Sequence, residues 1–64
     1  MEPSDAQYLI INALQTLELM TYNTYERERG LWFIATLSPV LPVAVITQDG
    51  EIYPIEWVQN DDNN

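Results

Sequence analysis

LWFIATLSPVLPVAVI, Leu31–Ile46, runs sixteen residues without a charge in a chain that otherwise carries ten carboxylates. A membrane span, a buried core and a contact surface are the competing readings. The run is shorter than the ~20 residues a spanning helix needs, contains Pro39 and Pro42, and is rich in β-branched residues. It therefore reads as two strands, Leu31 to Leu37 and Leu41 to Gln48, joined through Ser38-Pro39-Val40.

Working outward, Asp49-Gly50 is the strongest local signal in the chain. A two-residue type I′ turn would accept both residues and would place Gln48 opposite Glu51, Ile46 opposite Tyr53 and Ala44 opposite Ile55. A third strand follows from Glu51 to Val58. Pro54 cannot donate a ladder hydrogen bond, which makes that strand an edge. Upstream, Pro3-Ser4-Asp5 supplies a helix start with Ser4 or Asp5 as N-cap, and no Gly or Pro interrupts Ala6 to Tyr25. Arg27 and Arg29 suit a helix C-terminus, and Gly30 is placed to end it. Thr21 to Thr24 are weaker helix formers, so an end near Asn23 is the alternative. The expected fold is α+β: one N-terminal helix packed on a three-stranded antiparallel β-meander, in the order α-β-β-β. It forms a single domain over residues 1–58, with a disordered polar tail over 59–64.

On a helical wheel, Ala6, Leu9, Ile10, Ala13, Leu14, Leu17 and Met20 cover an arc of about 140° that should face the sheet. Tyr8, Ile11, Leu19 and Tyr22 form a second stripe nearly opposite. The strands repeat the surplus. Leu31, Phe33, Ala35 and Leu37 point one way; Trp32, Ile34 and Thr36 point the other. A sheet covered on one face alternates apolar with polar residues, yet both faces here are apolar. Apolar surface thus exceeds what one helix can hide, and an exposed patch of that kind marks an interaction site.

Length and charge narrow the classes. Sixty-four residues make one domain, near the size where a single core only just suffices. With no Cys and no His, disulfides and soft-metal sites are excluded, leaving a partner chain as the common remaining support. A formal charge of −8 disfavours direct contact with nucleic acid or anionic membrane and suits a basic partner. The acidic N-terminus lacks a signal peptide's basic region, so a cytoplasmic location is expected.

Catalytic chemistry finds little material. Ser4 and Ser38 read as cap and turn formers with no base beside them. Neither Asp49-Gly50-Glu51 nor Asp61-Asp62 has the spacing of a calcium loop. No enzyme activity, cofactor or metal is expected. The expected function is that of a small acidic protein that binds and modulates or inhibits a macromolecular partner, such as a basic nucleic-acid-handling protein. The alternative is a self-assembling accessory subunit. The partner-binding residues named by this reading are Tyr8, Ile11, Leu19, Tyr22, Trp32, Ile34, Tyr53 and Trp57, with Glu51 and Glu56 as carboxylates of an acidic row continuing to Asp61 and Asp62. A homodimer is the favoured assembly, since two-fold pairs are the commonest oligomers.

Overall fold

The computed structural model describes residues 1–56, so the expected tail and Trp57 and Val58 lie outside the described residues, whereas Ile55 and Glu56, expected in the third strand, are helical instead. Helix α1 spans Asp5–Thr16 and is followed by β1 (Met20–Glu26), β2 (Leu31–Thr36), β3 (Val43–Ile46) and β4 (Ile52–Pro54). The strands form one antiparallel meander in the order β1-β2-β3-β4. The fold is α+β as expected, with four strands in the sheet rather than three.

The fourth strand comes from chain expected to be helical. Leu17 caps α1, and Glu18 takes a left-handed conformation, φ 57°. Glu18 N–H donates to Gln15 O at 3.1 Å and Leu19 N–H to Leu14 O at 3.0 Å, the paired bonds of a Schellman stop with Glu in the place glycine usually holds. Tyr22-Asn23-Thr24-Tyr25 then pairs along β2, its β-branched and aromatic side chains fitting a pleated surface better than a helix. Leu19 and Tyr22 are therefore not on the helix, and the second helical stripe does not exist.

The sheet-facing side of α1 is also turned. Ile11 is 3% exposed and Gln7 fully buried, with Ile10 and Leu14 packed beside the core, whereas Leu9 and Leu17 are exposed. On a wheel of 100° per residue the buried arc is centred about 80° from the one expected. The cause is Gln7, a polar residue with all its bonds made. Its Nε2 donates to Gly30 O (2.8 Å) and Ile46 O (2.9 Å), and its Oε1 accepts from Ser4 N–H (2.9 Å). Ser4 is the N-cap of a capping box, and its hydroxyl donates to Gln48 O. These bonds pin the N-terminus of α1 to the sheet end where the β1–β2 and β3–β4 turns lie.

The core under α1 is Ile11, Trp32, Ile34, Ala44 and Ile46, flanked by Tyr25, Met20 and Leu41. Tyr8 and Tyr25 both meet the Trp32 ring edge-on, with centroids 5.5 Å apart, and Trp32 Nε1 donates to Asn23 Oδ1. Ile11, Trp32 and Ile34 are accordingly core residues, not contact residues, because the helix covers their side of the sheet.

The β3–β4 turn differs from the expected one by a single residue. Ile46 pairs with Ile52, Val45 with Tyr53 and Ala44 with Pro54. Gly50 alone has positive φ (84°) in this turn, so the I′ conformation, which needs two such residues, is absent. Gly50 N–H donates to Thr47 O (2.9 Å) and Thr47 N–H to Glu51 O (2.8 Å), closing a three-residue loop. A Cβ on Gly50 would stand 3.1 Å from that of Ala6, so glycine serves both conformation and helix approach. The one-residue shift moves Tyr53 to the sheet face away from α1 and Ile52 to the face beneath it.

Candidate interaction surface

The face of the sheet opposite α1 is built from cross-strand rows fixed by register. Tyr22, Ala35 and Val43 form one row; Thr24, Phe33, Val45 and Tyr53 form the next. Ala35 is the small residue between two larger ones, and the rows enclose a shallow depression of about 220 Å³. Tyr22, Thr24, Phe33, Ile34, Ala35 and Val43 line it. Tyr22 is 66% exposed and Val43 41%, while Val45 in the deeper row is fully buried. An apolar wall with this much open area is the feature a partner would cover.

Charged groups border it. Arg29 lies over the Phe33 ring at 6.0 Å and forms a two-bond pair with Glu26, its Nη2 donating to Oε2 at 2.8 Å. Hydrogen bonding from Arg29 holds the Glu26 carboxyl below its ordinary range. Tyr53 donates its hydroxyl to Glu51 Oε1 at 2.9 Å, and that carboxylate raises the phenol above its ordinary 10.0.

The expected contact residues are thus divided. Tyr22 and Tyr53 lie on the open face, and Glu51 at its rim. Tyr8 and Leu19 are exposed but elsewhere: Tyr8 on the helix side against Trp32, Leu19 in the α1–β1 connection. Glu51 precedes and Glu56 follows the three-residue β4, too short a strand to carry the expected acidic row; Asp61 and Asp62 lie outside the described residues. Phe33, Ala35 and Val43 were not picked out from the sequence as contact residues. Their signal was the β2 alternation itself, once the side chosen by α1 is known.

Carboxylates collect at one end. Of the eight among residues 1–56, Glu2, Asp5, Glu26, Glu28, Asp49 and Glu51 sit on the turns and helix start gathered by Gln7 and Ser4. The opposite end carries Leu17, Leu19, Leu37 and Val40, all exposed, with Glu18. Leu37 N–H donates to Leu19 O (3.0 Å), joining the two connections there.

Ser4 and Ser38 have structural roles: Ser4 caps α1, and Ser38 Oγ accepts from the N–H groups of Val40 and Leu41. Among the described residues no three metal-ligating side chains converge, and no helix is long and apolar enough to cross a membrane. No protein-family model, curated protein or solved structure matches the chain.

Proposed function

We propose that this chain is a non-catalytic protein-binding protein whose contact surface is the sheet face opposite α1. The observation that carries the reading is the Tyr22–Ala35–Val43 row and its depression, where Tyr22 and Val43 stand exposed while, among the described residues, α1 covers the other face. Affinity would come from apolar burial, at about 25 cal/mol per Å², with Tyr22 as the aromatic anchor. The partner is a basic protein, since a formal charge of −8 over the whole chain steers a cation toward the molecule. A protein that handles nucleic acid presents such charge, and binding it here would modulate or inhibit it.

Photocrosslinking tests the reading. A p-benzoylphenylalanine residue is placed at Tyr22 or Val43, and at Leu9 on the exposed side of α1 as comparison. Support is a shared adduct with one basic protein from the first two sites, lost at high salt. Adducts formed only from Leu9 would overturn it. Self-assembly remains the second reading, favoured by a specific feature of β1.

A further inference from the structure

We infer that β1 is the pairing edge for a second copy of this chain, joined antiparallel across a two-fold axis at Asn23. Among the described residues the sheet has two edges of different character. β4 is three residues long and ends in Pro54, which lacks an N–H; both features discourage strand addition. β1 is seven residues long, has no proline or lysine, and carries no charge from Met20 to Tyr25. It has none of the usual protections except the irregularity between Met20 and Tyr22, which bounds the pairing segment at one end.

Main-chain groups point the right way. Thr36 N–H donates to Pro42 O on the β3 side, so by alternation Trp32 and Ile34 also direct their groups at β3. Leu31, Phe33 and Ala35 then face β1, bonding Glu26, Thr24 and Tyr22. The N–H and C=O of Asn23 and Tyr25 are left facing outward. With the axis at Asn23, its two copies exchange both bonds, and Tyr22 stands opposite the partner's Thr24, a favourable aromatic–β-branched pair.

Charge selects this register and this occupant. Around Asn23 the two Glu26 residues lie six positions apart, about 20 Å and twice the Debye length of ~8–10 Å at ordinary salt. Moving the axis to Tyr25 would bring them within about 7 Å. For a chain this acidic, β1 is, among the described residues, the longest stretch of edge where a copy can approach without meeting its own carboxylates. Pairing would make one eight-stranded sheet and join the two depressions, each lined by Tyr22 and Thr24, into a continuous trough. The inference stands apart from the basic-partner reading, because it is tested on the purified chain alone.

The test combines sedimentation equilibrium with amide hydrogen exchange on the full chain. The wild type should sediment at twice the chain mass, with the Asn23 amide protected and its protection lost on dilution. Asn23→Ala, which keeps the N–H, should remain a dimer; Asn23→Pro, which removes it, should sediment as a single chain with its helical signal retained. A single-chain mass for the wild type up to about 1 mM, where association would be worth only ~4 kcal/mol, overturns the inference. So does a dimer whose Asn23 amide exchanges like an open one. Should Asn23→Pro fail to fold, the wild-type exchange pattern decides.

Discussion

Gln7 carries more of this structure than any apolar side chain of α1. It is fully buried, and its amide ties the helix start to the main-chain carbonyls of Gly30, in the β1–β2 turn, and Ile46, at the end of β3. Gln7→Leu keeps the volume but removes the bonds to Gly30 O, Ile46 O and the Ser4 N–H. We expect a loss of about 2–4 kcal/mol in urea unfolding, a large share of the stability of so small a domain. A change within ~0.5 kcal/mol, the size expected of an exposed position, would show that the clamp is absent. The sequence assigns Gln7 to a polar flank because polar residues are usually exposed. Only the carbonyls it meets, 23 and 39 residues away, make its burial favourable. Tyr53 offers a second local test. Its hydrogen bond to Glu51 favours the protonated phenol, so its folded pKa lies above 10.0. The linked stability is present below 10.0 and is lost as pH rises through the folded value. The Tyr53 phenol should titrate with a midpoint above 10.0, and Glu51→Gln should bring that midpoint down toward 10.0.

At the scale of elements, the decisive residue is Glu18. Its left-handed conformation costs about 1–2 kcal/mol for a residue with a Cβ, and glycine removes that cost. Glu18→Gly should therefore stabilise the fold by about 1 kcal/mol, read as a rise in the urea midpoint. A helix continuing through this position would give the opposite sign, a loss of about 1 kcal/mol. The strand positions from Leu31 onward, a helix start at Ser4 or Asp5 and the edge status of Pro54 were legible, since each rests on local chemistry, although β4 stops at Pro54 and Ile55 and Glu56 are helical. β1 was not. Residues 6–25 contain no helix breaker, and the stop is a glutamate in a glycine's conformation, invisible to a search for Gly or Pro. The hairpin shows the same limit more finely. Asp49-Gly50 located the turn correctly, but whether one or both residues take positive φ decides the register, and Ala6 packed against Gly50 favours the longer loop.

The whole molecule separates three surfaces: an acidic end, an apolar end and an open apolar sheet face. Surplus apolar surface was legible from the two-sided strand pattern. Its location was not, because Gln7 and the hairpin register together choose which residues α1 covers. Tyr22 and Val43 are the exposed members of the uncovered row, so their contribution to the fold and to binding should separate. The most direct measurement pairs urea unfolding with partner binding for the double variant Tyr22→Ser, Val43→Ser. We predict that unfolding changes by less than ~1 kcal/mol while the complex with the basic partner weakens at least tenfold, about 1.4 kcal/mol or more. Unchanged binding, or a loss of fold equal to that of a core truncation at ~2–5 kcal/mol, would contradict the assignment of this face to a partner.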